Sequence, residues 1–212
     1  MPPYPNRIRI DPLAPDPSVV LAAADIIRAG GVIVFPTRNL YGLGADAFNP
    51  EAVARVFRIK RRPPDKPVSI LVRSRMEVDG LVTHIPDAAR RLMDRFWPGR
   101  MTIVFAARPE VPQALIADAG KIGIRVPQHP AAVALTTALN RPITGTSANL
   151  SGMPGVHRIS DLPEAIIKNV DLVLDAGDLK IGIGSTVVDV TIDPPQVLRE
   201  GEVRMQELTA IF

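Results

Sequence analysis

Proline restricts this chain more than any other feature: it occupies 22 of 212 positions, about twice the usual share of roughly 5%. Each proline removes a backbone donor and fixes φ, so it ends helices and stays out of central strands. Pro2, Pro3, Pro5, Pro12, Pro15 and Pro17 crowd the start, which predicts a Pro-rich extension over 1–17 and a fold that begins near residue 18. Val19 to Arg28 then carries apolar residues at 19, 20, 23, 26 and 27, a helical stripe with Ser18 as its cap and Gly30-Gly31 as its end. Val32 to Phe35 is a continuous apolar run, read as a strand buried on both faces and stopped by Pro36. The next segment, Thr37 to Ala47, is neither periodic nor apolar. Asn49-Pro50-Glu51 opens a helix with apolar face Ala52, Val53, Val56 and Phe57, which Pro63-Pro64 must end. Strands at 68–72, 101–106, 122–126, 143–146, 170–175, 185–190 and 197–199 alternate with helices at 87–96, 130–139 and 161–168. The pattern is mixed α/β, with about seven strands in one layer. Without a linker or an internal repeat, a single domain over 18–212 is expected and a solenoid is excluded.

Apolar residues make up 46% and charged residues 22%, near the globular averages of about 45–50% and 25%. The chain has no cysteine, which removes thiol nucleophiles, thiolate zinc sites, iron–sulfur clusters and disulfides. The three histidines, His84, His129 and His157, are too widely spaced for a helical zinc pair. No stretch approaches the roughly 18 apolar residues of a membrane span, and the start lacks a signal peptide's apolar core; a cytoplasmic protein is expected. Net charge is +3, but residues 1–106 carry 16 basic and 10 acidic side chains against 9 and 12 in residues 107–212. The densest patch is Arg55, Arg58, Lys60, Arg61, Arg62 and Lys66, opposed within its span only by Asp65. It suits an anionic partner, although cations at a helix C-terminus are ordinary. The stiff Pro63-Pro64-Asp65-Lys66-Pro67 connection would hold them fixed, as a polyphosphate requires.

Gly42-Leu43-Gly44-Ala45-Asp46-Ala47 fits the dinucleotide pattern G-x-G-x-x-A, but the helix opens only after Asn49-Pro50 and six residues separate the strand from the glycines. No G-x-x-x-x-G-K-[ST] loop is present. Thr144 to Gly152, rich in hydroxyls and small residues, reads equally as a capped turn or an anion loop. Gly182-Ile183-Gly184-Ser185-Thr186 repeats that theme. Arg125 and Arg199 stand at strand ends, where an isolated arginine is more often an ion-pair partner.

Taken in order, these segments resemble the YrdC-like family of threonylcarbamoyl-AMP synthases. The resemblance rests on Phe35 to Gly44, Lys60 to Pro67, Phe96-Trp97-Pro98-Gly99, Gly123 to Pro130, Thr146 to Gly152, Gly184 to Asp189 and Leu198-Arg199-Glu200-Gly201. It implies a YrdC/RibB-like α/β fold, a single-domain twisted mixed sheet with flanking helices around a concave basic cavity. It further implies a nucleotidyltransferase binding ATP, Mg2+, L-threonine and bicarbonate, releasing pyrophosphate and threonylcarbamoyl-adenylate for a separate tRNA threonylcarbamoyl-transferase complex. By that resemblance Lys60 and Arg62 are the catalytic cations. Lys66, Ser147, Asn149 and Arg199 join them at ATP, and Thr37, Asn39, Tyr41, Arg125 and Ser185 face threonine. No protein metal ligand is implied; magnesium would arrive on ATP. Both nucleophiles come from substrates, consistent with a chain lacking cysteine.

Departures from the family pattern fall mostly on the amino-acid side. Arg38-Asn39 stands where the family often has Glu-Thr, Leu71 where some members have His, Lys121 where some have Thr, and Met153-Pro154-Gly155 lacks a common serine. Two further readings therefore stay open: a family paralogue using another acid or carbamoyl donor, and a double-stranded RNA or tRNA binder whose concave basic surface meets phosphates.

Overall fold

The computed structural model describes residues 7–116, 120–209 and 211. Its strands form two mixed sheets rather than the single layer expected. The first has the order β1 (Arg7–Arg9), β9 (Leu172–Asp175), β2 (Ile33–Pro36), β3 (Tyr41–Gly44), β8 (Thr146–Ser147). The second runs β11 (Gln196–Arg199), β10 (Thr186–Asp189), β5 (Met101–Ala106), β6 (Lys121–Arg125), β4 (Ile70–Leu71), β7 (Ile143–Thr144). Several strands have only two to four residues, so a run of apolar residues along the chain does not reveal which sheet it joins. The chain steps between sheets at Gly145, between β7 and β8. A Cβ there would lie 2.8 Å from Leu71 Cδ2, so only glycine lets the crossing pass this close to β4.

Three apolar clusters hold the layers. α1 (Pro17–Arg28) and α4 (Pro130–Leu139) share one with Ile33, Phe35 and Leu174. α2 (Pro50–Lys60) shares a second with Val34, Leu43 and Val173. α3 (Asp87–Phe96) packs into the third against β5 and β6 through Leu92, Met93 and Phe96. Two short helices, α5 (Glu164–Ile167) and α6 (Met205–Leu208), complete the set. No helix of the described residues is long and apolar enough to cross a membrane.

Several expectations are corrected. The fold begins before residue 18, because Arg7–Arg9 pairs in parallel with Val173–Asp175 and Arg7 is ion-paired to buried Asp175 at 2.5 Å. Residues 1–6 of the expected extension lie outside the described residues. Asp16, not Ser18, caps α1, accepting from Ser18 N at 2.8 Å. Only part of 161–168 is α-helical, and the 68–72 strand shrinks to Ile70–Leu71. The largest miss is β3, fully buried inside the supposedly irregular 37–47 segment. Its glycines are not a phosphate loop: Phe35 lies across them, and a Cβ on Gly44 would be 2.9 Å from the ring. The expected rejection of a dinucleotide loop stands, since α2 starts only at Pro50.

Candidate active site

A cavity of about 690 Å³ opens between the two sheets, lined from β3, β8 and the β2–β3 turn on one side and from β5, β6, β10 and β11 on the other. This lies within the roughly 300–1,000 Å³ of small-molecule sites. How α2 ends decides which cations reach it. Arg61 takes a left-handed conformation (φ 50°), Arg61 N bonds Arg58 O and Arg62 N bonds Phe57 O, the Schellman ending in which glycine is usual. That turn separates three consecutive cations. Lys60 is buried at 1% exposure, Arg61 faces solvent, and Arg62 turns to the cavity wall, where its Nε and Nη2 donate to Lys66 O (2.6 Å) and Pro67 O (3.0 Å).

Lys60 is not a free cation. Its Nζ donates to Asn149 O at 2.8 Å, to Asn149 Oδ1 at 3.0 Å and to Ser147 O, and its own carbonyl accepts from Ser151 N at 2.8 Å. With no carboxylate partner, burial and then the neighbouring Arg62 push its pKa down to about 7. Asn149 is equally committed: Ser147 Oγ donates to its Oδ1, and its Nδ2 donates to Leu150 O (3.0 Å) and Met153 O. Lys60, Ser147 and Asn149 therefore form one knot that shapes the loop after β8. Lys60, Ser147 and Asn149 all line the cavity, with the three Lys60 hydrogen bonds made to the Ser147 and Asn149 backbone and amide.

The remaining arginines of the cavity lack a carboxylate partner. Among the described residues, none of Arg62, Arg125 and Arg199 has an ion-pair partner, whereas the cavity's Arg38 and Lys121 are paired, to Glu202 and Asp189. Arg125 Nε is buried without any hydrogen-bond partner. Burial pushes the Arg125 pKa down to about 10, with Glu202 opposing and Arg199 adding to that fall; Arg62 is lowered by burial and then by Arg199. An unpaired buried cation is costly unless a ligand compensates it. Arg199 Nη2 donates to Ser185 O at 2.7 Å, and Ser185 Oγ shares a 2.8 Å hydrogen bond with Thr102 Oγ1.

Other expected ligands are placed less directly. Thr37 Oγ1 donates to Leu40 O and Asn39 Nδ2 to Ile183 O at 3.2 Å; both residues line the cavity. Tyr41 lines the cavity too; its buried hydroxyl donates to Gly177 O (2.6 Å) and accepts from Ala176 N (3.1 Å), and burial raises its pKa. Lys66 is exposed and contributes its carbonyl to Arg62 rather than a cation to the cavity wall. Sequence reasoning missed Thr102, Ser69 and Glu202. Thr102, a buried hydroxyl in the apolar run Met101–Ala106, carried a readable signal; Glu202 carried none. Leu71 is fully buried in the core.

A mixed α/β protein with a cavity of this volume, three arginines without ion pairs and a hydroxyl-rich loop belongs to the class whose site suits a polyanionic small molecule. The chain belongs to the Sua5/YciO/YrdC family, described as telomere recombination, whose match spans residues 25–201. A threonylcarbamoyl-AMP synthase of Pyrococcus abyssi is 36% identical over 190 residues, covering 90% of this chain and 56% of that protein. The crystal structure of P. abyssi Sua5 complexed with L-threonine matches with a TM-score of 0.91 and 34% identity, over 97% of this chain and 60% of that one. The structure of Escherichia coli YciO matches with a TM-score of 0.87 and 32% identity, over 95% and 98%. This chain thus spans less than two thirds of the P. abyssi proteins and nearly the whole of YciO.

Proposed function

We propose that this chain is a threonylcarbamoyl-AMP synthase, a nucleotidyltransferase acting on ATP, L-threonine and bicarbonate. The observation that carries the reading is Arg125, a guanidinium with a buried, partnerless Nε facing a cavity that also holds unpaired Arg62 and Arg199. A carboxylate of the amino acid would satisfy Arg125; Arg62 and Arg199 would meet phosphates. The name of the P. abyssi relative and the threonine bound by its neighbour support the same assignment.

The threonine amine attacks the carbon of CO2 with loss of an amine proton to solvent, or that of bicarbonate with loss of water, giving a carbamate. A carbamate oxygen then bonds to the α-phosphorus of ATP as the bond to pyrophosphate breaks. No protein nucleophile is needed. The chain's contribution is alignment and neutralisation of charge on the departing pyrophosphate, with Ser185, Thr102 and Asn39 available to orient the amino acid. No group of three or more His, Asp or Glu side chains converges among the described residues. Magnesium would be carried on the nucleotide phosphates, as its preference for phosphate oxygens and water allows. Transfer of the product to tRNA by a separate complex belongs to this reading and is proposed with it.

Pyrophosphate release in ATP, magnesium and bicarbonate, with and without L-threonine, tests the proposal. Threonine-dependent release is expected, and release independent of threonine would sink it. A paralogue using a different acid is the second reading. It is favoured by the length match to YciO; a panel of amino and hydroxy acids separates the two.

A further inference from the structure

The β2–β3 turn is tied across the cavity mouth. Arg38 Nε lies 2.9 Å from Glu202 Oε2, and its Nη1 donates to Gln128 Oε1 at 2.6 Å. The adjacent Asn39 donates to Ile183 O. Gln128 follows β6, Ile183 precedes β10 and Glu202 follows β11, so one turn of the five-stranded sheet grips three segments of the six-stranded sheet. Glu202 is mostly buried, with 14% side-chain exposure. It lines the same cavity as Arg125 and is the acid whose charge acts on that guanidinium. Yet the two make no ion pair, and Arg125 Nε stays without a partner. The only other acid on the cavity wall among the described residues, Glu200, is 3.6 Å from Arg204.

We propose that Arg38 is a positioning residue that keeps the cavity open to a substrate carboxylate: by holding Glu202 in its own ion pair, it prevents Glu202 from occupying Arg125. The inference rests on the reading that Arg125 receives the carboxylate of the acid substrate, and it identifies what protects that function. A flexible carboxylate beside an unpaired, desolvated guanidinium would turn to it, because each charge is costly alone and both are satisfied together. Arg38 supplies the competing partner, and Gln128 fixes Arg38 in turn. Loss of Arg38 would make Glu202 an internal competitor of the substrate.

The test uses the full chain with Arg38→Ala, Glu202→Gln and the double variant. L-threonine affinity by calorimetry, and KM for threonine against KM for ATP, are measured for each. Arg38→Ala is expected to weaken threonine about 5- to 20-fold, within the coupling of contacting charges, with KM for ATP unchanged; the double variant returns to within about two-fold of wild type. A double variant as weak as Arg38→Ala overturns the proposal, since the turn would then be only a structural tie. The second readout needs no substrate: the 15N signal of Arg125 Nε, assigned by its loss in Arg125→Lys, should move in Arg38→Ala and return in the double variant. If wild type neither binds nor turns over threonine, the synthase reading falls. If the Arg125 signal is unmoved by Arg38→Ala, this inference falls.

Discussion

Replacing Lys60 by methionine separates a knot from a phosphate ligand. Moving a buried ammonium's pKa from 10.5 to about 7 sets about 4–5 kcal/mol against its charged form. Its three hydrogen bonds nonetheless hold the amine in place on the Ser147 and Asn149 loop. Methionine removes both contributions and leaves two carbonyls and the Asn149 amide oxygen without their donor, although Ser147 Oγ still reaches the last. The net loss comes to about 2–4 kcal/mol, which lowers the melting temperature by about 4–15 °C at this chain length. Arg62→Ala should move it by less than about 3 °C, because that guanidinium bonds only carbonyls of its own connection, while weakening ATP. The sign with pH is also defined. Lys60 holds its proton less tightly folded than unfolded, so between about pH 7 and 10.5 the unfolded chain carries more protons and stability rises with pH. Calorimetric melts of wild type and Lys60→Met across pH 7–10 should therefore show a rise in wild type that the variant lacks. Equal pH slopes, or a variant that melts with wild type yet fails to bind ATP, would refute the knot and assign Lys60 to the phosphates.

Arg125→Met removes a buried cation with a partnerless Nε, so thermal melts should show a gain of about 2–4 °C while threonine binding by calorimetry is lost; a fall in melting temperature would mean the guanidinium is already satisfied. Gly201→Ala should unfold or severely destabilise the chain, because its Cβ would sit 2.5 Å from Ser185 C and 2.6 Å from Thr186 N, backbone that cannot retreat; circular dichroism of the purified variant reads this directly. For Asp171, Asp175 and Asp189, burial raises the pKa, but the side-chain hydrogen bonds from Arg55, Arg7 and Lys121, with backbone N–H groups, outweigh it and leave each below 3.8. Their contribution is present above about pH 4 and is lost as pH falls through the lowered values, so Asp175→Asn should lose less stability than wild type between about pH 4 and 2 in an acid titration.

What could be read from the sequence was what is local along the chain. Asn49-Pro50 marked the start of α2, and its side chain does accept from Glu51 N and Ala52 N. Lys60-Arg61-Arg62 marked a cationic turn, and Thr146 to Gly152 a polar loop. What could not be read was contact between sheets. β3 carries two glycines in four residues, a composition that argues against a strand until the Phe35 ring that needs the space is known. Nothing in the Lys60-Arg61-Arg62 triplet reveals that the left-handed Arg61 turns its neighbours in different directions. Arg38 was a charge without a purpose until Glu202, 164 positions later, proved to be its partner.

The same physics explains why the arginines without a carboxylate partner sit where they do. In a protein of net charge +3, many arginines outside the cavity find acids, as Arg7, Arg55, Arg75 and Arg100 do. Arg62, Arg125 and Arg199 do not, although Glu200 and Glu202 stand on the same cavity wall, because those two acids are engaged by Arg204 and Arg38. Withholding acids costs most at Arg125, whose Nε is buried without a partner, and less at half-buried Arg62 and exposed Arg199. On the proposed function, a cavity lined in this way favours a ligand carrying several negative charges, and a neutral ligand of the same volume would leave the imbalance in place.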